Sequence, residues 1–352
     1  MVQPDFVFRG HQCAVNSVAF FADDRFLVSG DQDGQLIVWN MLLKRQLLKK
    51  PAAHDGAILH ACGFSSDTVI SQGRDNKLNI WRLDASEFSG TLELRASVDI
   101  DSMNFCKFAY SICGESTWIV ALEEAGAGKA YLYNLESEQT VKVSIGRKTH
   151  TTAGRREDSP MCLKLIAPSD DRFSLIVGYE SAYLQVFDIV LTSPATCMAR
   201  CTASVATAHK EPIMSIDYDC PKQLVYTCAA DNLICCYRVD KAQLVEHCAP
   251  GKLPNPGSSE VRCFFSPALV VSQGWDYLAH LFDNDLKPIC NVSFHRAALT
   301  AADMSTLGSG YEAQIADETV RNRWSSRPQW LVVASRDSRI SLWSITKIMH
   351  NA

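Results

Sequence analysis

The chain has 352 residues, 47% of them apolar and 21% charged, with a formal net charge of −5. That length and apolar content can bury a large core, and the acidic balance leaves no chain-wide basic footprint, so direct nucleic-acid binding is not expected. The N-terminus MVQPDFVFRGHQC has no basic stretch leading into an apolar one, and no apolar run approaches the ~20 residues that cross a bilayer, so neither secretion nor a membrane span is expected.

In chain order, the first element is Asp5-Phe6-Val7-Phe8-Arg9, a short strand directly before Gly10-His11. Val15, Val18 and Phe20, then Phe26 and Val28, alternate between Asp/Gly/Ser clusters and read as short antiparallel strands joined by tight turns. SGDQDGQLIVW follows at 29–39, with Ser29, Asp33 and Trp39 at intervals of four and six. SQGRDNKLNIW at 71–81 repeats that layout with Ser71, Asp75 and Trp81. Two weaker copies end at Tyr133 and Phe187. Further copies carry Thr227, Asp231 and Tyr237, then Ser272, Asp276 and Phe282, then Val333, Asp337 and Trp343. Aromatic endpoints at 39, 81, 133, 187, 237, 282 and 343 therefore mark seven repeats, with helical periodicity hardly visible.

His11, His54 and His209 stand 17 or 18 residues before a Ser/Thr slot. A turn Asp accepting from a His ring, whose other nitrogen meets a hydroxyl that also accepts from an indole, satisfies four polar groups that burial would orphan. The expected sets are His11, Ser29, Asp33 and Trp39; His54, Ser71, Asp75 and Trp81; and His209, Thr227, Asp231 and Tyr237. His, Asp and Ser also spell a hydrolase triad. Recurrence in three repeats, with an aromatic fourth member and no GxSxG elbow, favours a structural network and no catalytic residue. The sets, with Gly10-His11 as opening dipeptide, resemble the tetrads of WD-repeat propeller blades. The resemblance implies an all-β, seven-bladed WD-repeat β-propeller spanning 1–352 as a single domain, closed by the N-terminal strand pairing beside 339–345.

The departures are where function is sought. Repeats three and four have no such His, and Glu123–Lys129 lacks phosphate-loop spacing and a following helix, so it reads as a hairpin turn. The fourteen Cys lie in strand-like runs such as Leu233–Tyr237 without paired zinc spacing, and are expected to be reduced, buried hydrophobes. No metal or cofactor is expected. Residues 146–159 read as a solvated flexible loop, with a nuclear targeting signal as the rival. Residues 305–329 form an insertion in the last repeat, mobile or docking, with Trp324 as a candidate contact against the alternative of packing on its own blade. The position before each turn Asp holds Gln32, Arg74, Ala230, Trp275 and Arg336, which blade geometry would place on one rim. Arg74, Trp275 and Arg336 are residue types of interface hot spots and form the candidate partner surface, the alternative being ordinary surface side chains.

SQGRDNKLNIW, SPMCLKL (159–165), VGYESAYLQVFD (177–188), HKEPIMSIDYD (209–219), NPGSSEV (255–261), GWD (274–276) and SRDSRISLWS (335–344) resemble the family of ASTRA-associated protein 1, also called G protein subunit beta-like protein 1. That resemblance implies a non-catalytic scaffold working with the TTT cochaperone in maturing phosphatidylinositol-3-kinase-related kinases, and associated in fungi with the ASTRA chromatin assembly. It further implies protein partners, a monomeric subunit of a hetero-complex, and residence in nucleus and cytoplasm. The alternative is a WD-repeat scaffold of another complex. Binding of a G-protein γ partner is not expected, since few residues precede Gly10 and those β subunits carry a long N-terminal coiled-coil helix. A ubiquitin-ligase receptor would need an adaptor segment such as an F-box, for which no room is expected.

Overall fold

The alternation of apolar residues with Asp, Asn and Gly turns resolves into antiparallel sheets in a computed structural model that describes residues 2–86, 88–151, 154–240, 243–306 and 318–351. The fold is a seven-bladed β-propeller, each blade having strands a to d in sheet order. Blade one is Val15–Phe21, Phe26–Asp31, Leu36–Asn40 and Arg45–Lys50. Blade two is Ile58–Gly63, Thr68–Gly73, Lys77–Ala85 and Gly90–Asp99. Blade three is Ala109–Cys113, Ser116–Glu124, Lys129–Asn134 and Thr140–Ser144. Blade four is Pro160–Ser169, Arg172–Tyr179, Tyr183–Ser193 and Thr196–Ala206. Blade five is Ile213–Asp219, Leu224–Ala229, Leu233–Asp240 and Gln243–Glu246, with Gly251–Lys252 also paired to its strand c. Blade six is Ser258–Phe265, Ala268–Gly274, Leu278–Phe282 and Pro288–Ser293. Blade seven is Leu299–Met304, Trp330–Ser335 and Arg339–Ser344, completed by Phe6–Arg9 from the N-terminus.

That last pairing runs antiparallel from Phe6 opposite Leu342 to Arg9 opposite Arg339, as the strand before Gly10 leads one to expect. Asp5 locks it by donating its N–H to the Leu342 carbonyl at 2.8 Å and accepting from the Ser344 N–H at 2.8 Å. Every expected aromatic endpoint falls on a strand c or at its end.

Two compact units make up the chain: Met1–Val98, Gln273–Leu281 and Ile289–Ala352 form one, Asp99–Ser272 and Phe282–Pro288 the other. In the first unit, Phe8, Trp39, Trp330 and Leu342 share one core, and Phe26, Val69 and Trp81 another. In the second, Trp118, Phe173 and Val177 pack together, as do Ile176, Val225 and Tyr237. Strand a is an edge of its sheet, and its free N–H groups need partners. Side chains of the preceding blade supply them: Ser17 accepts from Ala61 at 2.9 Å, Ser111 from Ala167 at 3.0 Å, Asp217 from Cys263 at 2.9 Å and Asp303 from Phe20 at 2.8 Å.

Residues 146–159 are not a loop. Arg147–Thr151 and Gly154–Asp158 form a two-stranded ribbon, with Thr152 and Ala153 outside the described residues. Arg147 stands opposite Asp158 and donates to its carboxylate at 2.7 Å. Of the insertion at 305–329, residues 307–317 lie outside the described residues, and Glu318–Ser325 form helix α1. A second helix, α2 (Ile345–His350), follows the last strand, capped by Ser344. All fourteen Cys are free thiols; seven are buried as expected, whereas Cys201 and Cys220 are exposed.

Candidate functional site

Blades one to five and seven fasten the b–c turn to the loop entering strand a. In blade two, the expected tetrad is assembled: His54 Nδ1 lies 2.9 Å from Asp75 Oδ1, Nε2 2.7 Å from Ser71 Oγ, and Trp81 Nε1–H donates to Ser71 Oγ at 2.8 Å. With the carboxylate accepting at Nδ1–H, Nε2 accepts from the hydroxyl. Blade one has the same geometry with a different acid. His11 Nδ1 meets Asp31 Oδ2 at 2.6 Å, and Nε2 meets Ser29 at 2.7 Å. Asp33, expected in that role, instead donates its backbone N–H to Asp31 Oδ1 at 3.0 Å. The position equivalent to Asp31 is Gly73 in blade two, where an added Cβ would lie 2.3 Å from His54 Nδ1 and 2.5 Å from Asp75 Oδ1. A Gly there admits the carboxylate from two residues on; an Asp there fills the space itself.

Blade five keeps His209 with Asp231 at 3.0 Å and with Thr227 at 2.9 Å. Tyr237 does not complete the set: its hydroxyl accepts from the Ala208 N–H at 2.9 Å. A phenol is longer than an indole and passes the Thr to reach the backbone. Blade seven carries a fourth network that the repeat register hides. His295 meets Asp337 at 3.0 Å and Ser341 at 2.8 Å, and Trp343 donates to Ser341 at 2.8 Å. Ser341 stands across the sheet from Val333, so the hydroxyl has moved to the neighbouring strand. Blade six divides the roles, with Ser258 and Ser272 at 2.7 Å and His280 Nε2 3.1 Å from Asp276. Blades three and four, which lack the His, place the carboxylate on the other partner. Asp101 accepts from the turn N–H of Ala125 at 2.8 Å. Asp158 accepts from the turn hydroxyl of Ser181 at 2.5 Å and from Arg147 at 2.7 Å.

Burial works against the Asp31 carboxylate, but His11 and the N–H groups of Gln35 and Asp33 outweigh it and hold the acid below its ordinary range. The same balance, with His209 and His295 in place of His11, lowers Asp231 and Asp337. Ser29 and Ser71 are fully buried, so the triad-like hydroxyls have no open side toward a substrate.

What the turns offer outward is the position before the Asp. Its backbone is fixed alike in several blades: Gln32 donates to Ala14 at 2.9 Å, Arg74 to Ala57 at 2.9 Å, Ala230 to Pro212 at 3.3 Å and Arg336 to Ala298 at 3.0 Å. Arg74 and Arg336 are exposed there, and Trp275 is 41% exposed in the corresponding turn of blade six. Tyr277 adds a second exposed aromatic that the sequence reading passed over, at a φ of 73° where Gly34, Asn76 and Ser338 occupy the same turn position. A Tyr in the left-handed region costs roughly 1 kcal/mol, the signal that could have drawn attention to it.

Trp324 is corrected as a surface candidate, being 4% exposed in the core with Trp39, Met41 and Trp330. Ala22, Asp23 and Asp24 all have positive φ, and the turn they make carries Asp24 to the insertion. Asp24 accepts from the Thr306 N–H at 2.9 Å and from Arg327 at 3.3 Å, and the Arg327 guanidinium lies 4.0 Å above the Trp324 ring.

His–Asp–hydroxyl pins in blades one, two, five and seven of the seven-bladed fold define the class: the chain is a WD-repeat β-propeller. It matches the WD40 family, "WD domain, G-beta repeat", over residues 2–40, 200–238 and 316–344. Along nearly its whole length it is similar to the Mus musculus "Guanine nucleotide-binding protein subunit beta-like protein 1", 27% identical over 351 residues that cover 97% of this chain and 96% of that one. It is likewise similar to "ASTRA-associated protein 1" of Verticillium alfalfae, 24% identical over 97% of this chain and 92% of the relative, and of Schizosaccharomyces pombe, 22% identical over 97% and 98%.

Proposed function

We propose that the chain is a non-catalytic scaffold of a hetero-complex, acting in nucleus and cytoplasm with the TTT cochaperone in maturing phosphatidylinositol-3-kinase-related kinases. Its likeness to ASTRA-associated proteins over 97% of its length supports the complex. The observation that carries a binding role is the equivalent turn position, where Arg74 and Arg336 stand exposed on a fixed backbone and Trp275 is exposed in the corresponding turn. A folding role needs none of these side chains, whereas Arg and Trp on a rigid support lose little entropy on docking. Tyr277 extends that surface.

The test is the triple variant R74E/W275A/R336E, expressed with an affinity tag in cells. Its thermal midpoint should stay close to that of the unsubstituted protein, while TTT subunits no longer co-purify. Undiminished co-purification would remove these turns from the interface, and a collapsed midpoint would show that they serve the fold.

A further inference from the structure

Strand d of blade one, Arg45–Lys50, is the outer edge of its sheet. It lies in a stretch without a single Asp or Glu between Asp33 and Asp55, into which Lys44, Arg45, Lys49 and Lys50 all fall. In a chain of net charge −5, that is a local excess of four positive charges. Leu47 and Leu48 turn into the core, leaving Arg45 and Lys49 exposed and Lys50 half-buried. The three heads meet rings and a carbonyl: Arg45 lies 5.2 Å from the Phe88 ring centre, Lys50 5.6 Å from that of Trp81, and Lys49 Nζ 3.5 Å from the Gly10 carbonyl. The last contact brings Lys49 beside Arg9, which is also exposed. Phe88 is 65% exposed beneath Arg45, so the strip ends on an open aromatic.

We propose that the outer edge of blade one is a docking strip for an acidic, extended segment of a partner protein. The unpaired side of the strand offers main-chain N–H and C=O groups to an added strand, whose side chains on one face would set carboxylates against Arg45 and Lys50 and on the other against Lys49 and Arg9. Charge-assisted hydrogen bonds to these heads supply the preference for acid. The other outer strands offer no such match: in blade four, Thr196–Ala206 has Arg200 as its one charge, and in blade five, Gln243–Glu246 ends in an acid. A nucleic acid fits less well, because the basic heads flank a single strand edge of a chain of net charge −5 and do not form a broad field. The competing role for Lys on an edge is to repel other strands.

Fluorescence anisotropy with the full chain decides between these roles. The probes are a labelled peptide of alternating Glu and Val, its Lys/Val counterpart, a single-stranded RNA and phosphatidylserine vesicles. The Glu/Val peptide should bind alone among them, more weakly as salt rises, and R45E/K49E/K50E should weaken it about tenfold or more. R74E/R336E should leave that binding unchanged, which separates this strip from the turn surface. Should the reversal variant not fold, R45Q/K49Q/K50Q must show the same loss. Absence of peptide binding, binding indifferent to these substitutions, or RNA or vesicle binding lost with them would overturn the proposal.

Discussion

Asp31 and Asp75 perform one task two residues apart in register, because Asp31 occupies the space that Gly73 leaves open. Spacing alone selects Asp33, and only the room around the imidazole corrects it. Asp31→Ala should therefore leave His11 buried without its acceptor and cost about 2–4 kcal/mol, whereas Asp33→Ala should stay within about 0.5 kcal/mol. Urea unfolding of the two variants tests this, and equal losses would restore Asp33 to the pin. A second residue sets the response to acid. Asp217 is buried, which by itself would raise its pKa, but Lys164 at 2.5 Å, Arg262 and the Cys263 N–H lower it to about 2. A carboxylate lowered in the folded state stabilises fully above its unfolded pKa near 4 and loses that contribution as pH falls through 2, roughly 2 kcal/mol in all. Asp217→Asn should lower the urea midpoint at neutral pH and flatten its decline between about pH 4 and 2. An unaltered decline would mean that other lowered acids, among them Asp31, Asp231 and Asp337, carry the response.

Among elements, the strands were legible because alternation and turn residues recur at every copy. The insertion was not: ETVRNRWS has only Val320 and Trp324 as apolar residues, a pattern that reads as surface. What decides its fate is Asp24, far away in sequence, whose left-handed turn reaches Thr306 and Arg327 and so seats Trp324. Shortening across 308–326 would thus remove a core residue. Trp324→Ala should cost about 3–5 kcal/mol, and Arg327→Ala about 1–3 kcal/mol by removing a charge-assisted hydrogen bond to the buried Asp24, whereas exposed Asn322→Ala should be silent. Thermal melts of the three check this, and a Trp324→Ala protein melting with the unsubstituted chain would return the indole to the surface. The ribbon of Arg147–Thr151 and Gly154–Asp158 is not legible for a related reason, since its sequence is polar throughout and shows no apolar alternation.

For the whole molecule, blade seven is built from both chain ends, so its stability rests on four residues at the N-terminus. Deleting residues 1–9 would remove Phe8 from the core and expose the edge of Arg339–Ser344. The truncated protein should aggregate on expression, and adding the missing segment as a separate peptide should recover soluble protein; a soluble, monomeric truncation with an unchanged melt would show that the pairing contributes little. The sequence by itself determined the blade count, the closing strand and the structural use of His, because each rests on local spacing that is repeated along the chain. Only the tertiary structure decided which acid meets His11, that Ser341 serves where Val333 stands in register, that Asp101 and Asp158 replace the missing His pins, and that Trp324 is core. Those outcomes depend on free space and on partners from distant segments, and neither is written in the spacing of residues along one strand.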